Sequence, residues 1–159
     1  MSYPTPRYLG QGGEPSASYR AAGQPPELVY PSGTTVRFLA TGATTGGRFG
    51  LFRWDMGPEP SGPGPHFHRT FSESFYVLAG NVRIYDGRAW RETGPGDFVH
   101  VPEGGVHGFR NESGAAVSML LHFAPGAPRE GYFEGVMDLA DATEEERAAF
   151  FLRHDNHVI

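Results

Sequence analysis

Hydrophobic and polar residues alternate in short runs through the middle of the chain, between residues 35 and 123. A period of two is typical of β-strands that bury one face. Glycine and proline separate the runs, as the turns of an all-β chain require. The pattern predicts strands over residues 35–40, 48–56, 65–68, 73–79, 82–86, 88–92, 97–101, 107–111 and 117–123.

Turn and helix signals complete this outline. Asp86-Gly87 lies between two of the runs and predicts a two-residue hairpin, because a type I′ turn needs residues that tolerate positive φ. Thr143 and Glu146 form a capping-box pattern before a segment that is acidic first and basic later, which predicts a helix over residues 144–153. We expect a shorter helix over residues 128–133.

The amino-terminal segment differs from the rest of the chain. It contains several prolines and no sustained apolar period, so we expect an extended arm. The complete pattern therefore predicts three parts: an extended arm over residues 1–30, an all-β barrel over residues 31–126, and a tail with a short helix over residues 127–159. No internal repeat suggests a second barrel.

The composition fits one small domain. A chain of 159 residues buries about two-thirds of its unfolded surface, which is enough for one core. The absence of cysteine excludes disulfides and thiolate metal ligands. A net charge of −5 without a basic stripe argues against nucleic acid and anionic membranes as partners. No apolar run approaches a membrane span and no signal-peptide pattern occurs, so we expect a cytoplasmic protein.

Four side chains carry the candidate chemistry. His66 and His68 are two residues apart, so on a strand both project from the same face, roughly 6.6 Å apart. Glu73 adds a carboxylate, and His107, after the turn-forming segment 102–106, adds a third imidazole. This donor set suits a divalent transition metal (iron, nickel, manganese, cobalt or zinc). With neutral imidazoles the site carries a charge of about +1, which attracts an anionic oxygen.

The spacing of these residues resembles the two sequence motifs of the cupin superfamily. The matching strings are His66-x-His68-x4-Glu73-x6-Gly80 and Gly96-x5-Pro102-x-Gly104-x2-His107-x3-Asn111. One departure is Pro60, where the family often has glycine. Residues 45–56, 73–78 and 123–126 look like the single-domain, quercetin dioxygenase-like cupins. The resemblance implies a double-stranded β-helix, a jelly-roll barrel, whose two motifs supply the four metal ligands.

Other residues near the motifs are candidates for substrate binding. By alternation Phe75 shares the face of Glu73, and Phe109 shares that of His107, so both are candidates to line an apolar pocket. His100 and His122 lie on neighbouring strands and are candidates to orient a ligand or substrate. Ordinary packing is the alternative for all four.

The leading hypothesis is a metal-dependent dioxygenase. It would act on a small enolisable or aromatic molecule, with Glu73 as a metal ligand or as the general base. The alternatives are a redox-neutral cyclase or isomerase of polyketide-like substrates and a non-catalytic small-molecule-binding barrel. Arg37 and Arg53 are candidates to meet an anionic substrate at the barrel mouth, with solvated surface as the alternative. We also expect a homodimer, because pairing covers exposed sheet edges.

Overall fold

The computed structural model describes residues 2–159, and Met1, the first residue of the predicted arm, lies outside them. The predicted all-β architecture with few helices is confirmed. The strands are β1 (Leu28–Val29), β2 (Thr35–Ala40), β3 (Gly50–Met56), β4 (His66–Phe67), β5 (Ser72–Ala79), β6 (Val82–Tyr85), β7 (Trp90–Thr93), β8 (Phe98–Val101), β9 (Gly108–Arg110), β10 (Val117–Ala124) and β11 (His157–Val158).

The helices follow the last long strand. They are α1 (Arg129–Gly135), a 3-10 helix (Val136–Leu139) and α2 (Glu144–Arg153). Thr143 and Glu146 form the predicted capping box at the start of α2. Each of these helices in residues 2–159 is too short or too polar to cross a membrane.

Two antiparallel sheets face each other across the core. The larger has the strand order β1-β2-β3-β10-β5-β8, and the smaller has the order β7-β6-β9. Phe109 on β9 joins them, because its ring packs edge-on against Trp54 of β3 at 6.1 Å and against Phe75 of β5 at 5.8 Å. The inward residues of β3 alternate strictly with outward ones, as the period of two predicts.

The tail closes one side of the barrel. Phe133 of α1 lies over the large sheet, with its ring 5.0 Å from that of Phe52 and 5.1 Å from that of Trp54. Strand β11 pairs antiparallel with β4, so Val158 lies opposite His66. The tail therefore reaches the segment that carries the first two histidines.

The structure corrects the predicted hairpin. Strands β6 and β7 are joined by four residues, and a hydrogen bond from Asp86 N to Ala89 O at 3.1 Å leaves Gly87 and Arg88 at the tip. The Asp86 carboxylate accepts hydrogen bonds from the backbone N–H groups of Arg88 and Ala89. Gly87 has the predicted positive φ, at 87°, but Asp86 does not, so the type I′ turn predicted at Asp86-Gly87 was wrong.

The described part of the arm is open to solvent. Residues 2–27 contain turns and bends without a helix or strand, and nearly all of them are exposed. Arg20 and Glu27 form an ion pair at 2.7 Å near the point where the arm meets the barrel.

Candidate metal centre

Four predicted ligands converge inside the barrel. His66 lies on β4, His68 follows it, Glu73 lies on β5 and His107 immediately precedes β9. One ligand atom from each lies within 4.8 Å of the others, and each residue is at most 6% exposed. A backbone bridge between His66 and His107, with both hydrogen bonds at 2.8 Å, fixes the two motifs against each other.

Each histidine ring has its orientation fixed by a backbone carbonyl. The Nδ1 atom of His66 donates to Gly64 O at 2.8 Å, and that of His107 donates to Gly105 O at 2.9 Å. A carbonyl can only accept, so Nδ1 carries the proton and Nε2 presents its lone pair. Two of the three rings are therefore oriented by the carbonyl of a residue two positions earlier.

The third ring is oriented from the far end of the chain. His68 Nδ1 donates to the carbonyl of Asp155 at 2.6 Å, across 87 residues of sequence. The Asp155 carboxylate in turn accepts from the N–H groups of Arg69 and Thr70 at 2.9 and 2.8 Å. These bonds attach the tail to the loop that follows His68, and partners of this kind are typical of metal-ligating histidines.

Glu73 lies between two of the imidazoles. Its Oε2 atom is 3.1 Å from His68 Nε2 and 2.9 Å from His107 Nε2. Because Nδ1 of both rings already carries a proton, contacts of this length need a cation between the atoms, either a second ring proton or a metal ion. The converging donors of three nitrogens and one oxygen therefore fit a divalent transition metal.

The pKa shifts of Glu73 and His66 favour the deprotonated forms that bind a metal. Burial alone would raise the pKa of Glu73, but the hydrogen bonds and charges of His107 and His68 outweigh it and hold that pKa well below its usual range. Burial, with the charge of His107, lowers the pKa of His66 to about 4. Burial opposes a charge on His107 too, but its hydrogen bond to Glu73 raises the pKa above the ordinary value.

A cavity of about 320 Å³ opens onto one side of the cluster. His66 and Glu73 are the two members of the cluster that line it. Its walls are mainly aromatic and aliphatic, and they include Trp54, Phe109, Leu121 and Phe133. Its volume and lining are typical of small-molecule sites.

Several polar residues of this cavity were not among the predicted site residues. Tyr30, Ser32 and Thr34 line it from the turn between β1 and β2, while Arg129 and Tyr132 line it from α1. Their sequence surroundings carry no metal-ligand spacing or strand alternation, so no local signal identified them. The barrel places them around the cavity only when the tail has packed.

The four predicted substrate-binding residues lie in different positions relative to the cavity. Phe109 lines the cavity. Phe75 is fully buried behind it, with its ring 5.9 Å from that of His107. His100 and His122 both lie opposite Ser74 in the strand register, on the sheet face away from Glu73. The structure therefore does not bring these two histidines to the cavity.

The two arginines considered for the barrel mouth have other partners. Arg37 and Arg53 both form ion pairs with Asp55, at 2.5 and 2.9 Å. Neither lines the cavity that adjoins the metal ligands. They belong to the outer face of β2 and β3.

Comparison with known families agrees with this geometry. The family model described as "Cupin domain" matches residues 52–123, which include all four candidate ligands. Residues 52–123 are therefore similar to a cupin domain. The double-stranded β-helix predicted for the barrel is confirmed, since the solved structures that the chain resembles share this fold.

Two curated proteins match part of the chain. Quercetin 2,3-dioxygenase of Bacillus subtilis (strain 168) is 32% identical over 77 residues, which cover 48% of this chain and 23% of that protein. An uncharacterized protein of Aquifex aeolicus (strain VF5) is 34% identical over 61 residues, covering 38% of this chain and half of that protein. The matched regions thus span 23% and 50% of the lengths of these two curated relatives.

Solved structures extend the comparison. The polyketide cyclase RemF from Streptomyces resistomycificus is 27% identical, with a TM-score of 0.54, and the match covers 68% of this chain and 78% of that one. KdgF from Halomonas sp. has the same TM-score at 18% identity, covering 62% of this chain and 84% of that one, which shows the fold alone. Both solved structures therefore share the fold of this chain.

Proposed function

We propose that this cupin is a metal-dependent dioxygenase acting on an enolisable aromatic small molecule, with O2 as the co-substrate. The observation that carries the proposal is the meeting of an aromatic-walled cavity with the ligand cluster at His66 and Glu73. A substrate held in the cavity would present its oxygen atom to that side of the cluster. The match to a quercetin 2,3-dioxygenase supports the same reaction class.

The metal would be held by His66, His68, Glu73 and His107. A bound divalent ion supplies Lewis acidity and, when six-coordinate, two further coordination positions. Iron, nickel, manganese, cobalt and zinc are all compatible with three imidazoles and a carboxylate. Zinc fits a redox-neutral reaction better, because it more readily stays four-coordinate.

Glu73 has two roles open to it in this site. It is the one carboxylate of the ligand cluster and it lines the cavity, so it lies where a bound substrate would meet the cluster. We therefore propose that Glu73 either accepts the proton of an enolisable hydroxyl or stays a ligand of the metal.

The cavity walls would position the substrate. Trp54, Phe109 and Phe133 present aromatic surfaces around the space next to the cluster, and aromatic walls pack well against a flat ring. Because these walls are apolar, they also exclude water from the reacting atoms, which strengthens every electrostatic contact within the cavity.

A redox-neutral cyclase is the second candidate. The match to RemF supports it, because it covers more of this chain than the dioxygenase match does. The same cavity would then hold a polyketide-like substrate, and the reaction would proceed without O2. Oxygen dependence separates the two candidates.

The test combines metal analysis with an oxygen comparison. Wild-type protein with its metal content measured by elemental mass spectrometry would be assayed with flavonols and enolisable polyketide-like compounds, in air and under strict anaerobiosis. We expect a stoichiometric metal and product formation in air alone. Product formed equally without oxygen would contradict the dioxygenase and favour the cyclase, while saturable binding without consumption would indicate a non-catalytic barrel.

A matched pair of variants links turnover to the cluster. Glu73→Gln removes the buried carboxylate, and Glu59→Gln makes the same change at an exposed position. We expect the first to lose metal and turnover and the second to keep both. Full turnover in Glu73→Gln would contradict the proposed site.

A further inference from the structure

Arg129 is a buried charge in the wall of the cavity. It is the first residue of α1, it is 4% exposed, and it lines the same cavity as His66 and Glu73. Placing a guanidinium in such a position costs free energy unless the charge meets partners. The contacts of Arg129 within the chain therefore decide whether its charge is neutralised.

The protein partners of Arg129 do not neutralise it. Its Nη1 atom donates to the carbonyl of His154 at 3.0 Å, while the buried Nε atom has no hydrogen-bond partner. Four aromatic rings surround the guanidinium carbon at 4.0 to 5.4 Å from their centroids, belonging to Phe71, Phe123, Tyr132 and Phe133. Within residues 2–159, no carboxylate lies at ion-pair distance from it.

The opposite charge with the largest influence on Arg129 belongs to the metal cluster. Burial lowers the pKa of Arg129, and Glu73 is the largest of the influences that raise it again. Arginine nevertheless stays protonated at all ordinary pH values. When Glu73 serves as a metal ligand, its charge is shared with the ion, and the cavity then holds a surplus of about two positive charges.

Such a cavity selects its ligand by charge and by shape. An anion would balance the surplus, and the aromatic walls favour a flat apolar body. A guanidinium binds a planar carboxylate better than a single oxygen, because two of its N–H groups can match the two oxygens at once. The cavity volume of about 320 Å³ is near the lower end of small-molecule sites, which suits a small aromatic molecule.

We propose that Arg129 is the anion-recognition residue of this cavity, and that it binds the carboxylate of an aromatic acid whose ring lies toward the metal cluster. The identity of that acid as the substrate rests on the proposed function, whereas its recognition by Arg129 does not require turnover. Arg129 thereby determines specificity.

The test compares two ligands of almost the same shape. The charged probe is 2-naphthoate and the neutral probe is 2-naphthamide, both titrated calorimetrically into the metal-loaded protein and into protein treated with a chelator. We expect at least a tenfold preference for naphthoate, and we expect a preference to persist after chelation. Binding of neither probe, absence of a preference, or its complete loss on chelation would overturn the proposal, because the last result would assign the carboxylate to the metal.

Variants separate recognition from folding. In Arg129→Gln we expect naphthoate affinity to fall more than tenfold and naphthamide affinity to change less than threefold. Arg129→Lys keeps the charge without the paired donors and should show an intermediate preference. The control Arg153→Gln changes an exposed arginine of α2 and should behave as wild type. An equal loss of both probes in folded Arg129→Gln would indicate a purely structural role and contradict the proposal.

The outcome is independent of the reaction. If the protein turns over no compound but shows an Arg129-dependent preference for naphthoate, the proposed function fails and the anion site remains. If turnover occurs on neutral substrates and the preference is absent, the anion site fails and the proposed function remains.

Discussion

Replacing Asp155 should loosen the tail and weaken the metal site together. The carboxylate accepts from Arg69 N at 2.9 Å, Thr70 N at 2.8 Å and Thr70 Oγ1 at 2.7 Å. The residue also has a φ of 53°, a left-handed conformation that aspartate and asparagine tolerate better than alanine. A fourth hydrogen bond comes from His157 Nε2 at 3.0 Å. Asp155→Ala therefore removes four hydrogen bonds and adds backbone strain at one residue.

The magnitude follows from these contacts. The side chain is 20% exposed, so we assign about 1 kcal/mol to each hydrogen bond, which is below the range for fully buried charged groups. The left-handed backbone adds about 1 kcal/mol for alanine. We expect Asp155→Ala to lower the free energy of unfolding by about 5 kcal/mol, Asp155→Gly by about 4 kcal/mol because glycine relieves the strain, and Asp155→Asn by about 2 kcal/mol.

Urea unfolding measures the stability and calorimetry measures the metal affinity. Because His68 Nδ1 donates to the carbonyl of this residue, we expect metal binding to weaken roughly 10-fold to 100-fold in Asp155→Ala. The control Asp141→Ala changes an exposed acidic residue and should stay within about 0.5 kcal/mol of wild type. An Asp155→Ala protein inside that same limit, with unchanged metal affinity, would refute the reasoning.

The pH dependence gives a further check on Asp155. Burial opposes its charge, but hydrogen bonds from Thr70, Arg69 and His157 outweigh burial and lower its pKa. A carboxylate with a lowered pKa in the folded state contributes stability above its unfolded pKa and loses it as the pH falls through the folded value. The stability difference between wild type and Asp155→Asn should therefore be constant above about pH 5 and shrink below about pH 4.

Three other predictions concern the barrel and its assembly. Gly62 has a φ of 128°, and a Cβ there would lie 2.1 Å from the Phe109 carbonyl oxygen, so Gly62→Ala should cost at least about 2 kcal/mol in urea unfolding, and a neutral result would contradict this contact. Phe75→Ala should cost about 3 to 5 kcal/mol because it opens a cavity beside His107; a loss below about 1 kcal/mol would show that the site collapses freely. Sedimentation should show a homodimer, in which the exposed arm residues Tyr3 and Tyr19 have a partner surface; a 17.3 kDa species alone would refute it.

Local patterns predicted most of the fold. Strand β2 and helix α2 were predicted with their observed bounds, because strand alternation and a capping box are determined by residues within one turn or one strand. The convergence of His66 and His68 was predicted for the same reason, because side chains two residues apart on a strand project from the same face of the sheet. Glu73 and His107 needed the two motifs, because no local period connects residues 34 positions apart.

Long-range contacts explain what the sequence did not reveal. The strand β11 is two residues long and depends on pairing with β4, so no alternation could identify it. Arg129 lines the cavity because the tail folds back over the barrel. A single arginine at the start of a helix has no sequence pattern that indicates its burial. For His100 the alternation of its own strand was insufficient, because only the register against Ser74 fixes its face relative to Glu73.

The hydrogen bond between His68 and Asp155 joins two residues that are 87 positions apart in the sequence. A chain cut by a protease before Asp155 therefore keeps all four candidate ligand side chains and loses the carbonyl that orients His68. Weaker metal binding by such a fragment would then reflect a lost orientation of one imidazole and not a lost ligand.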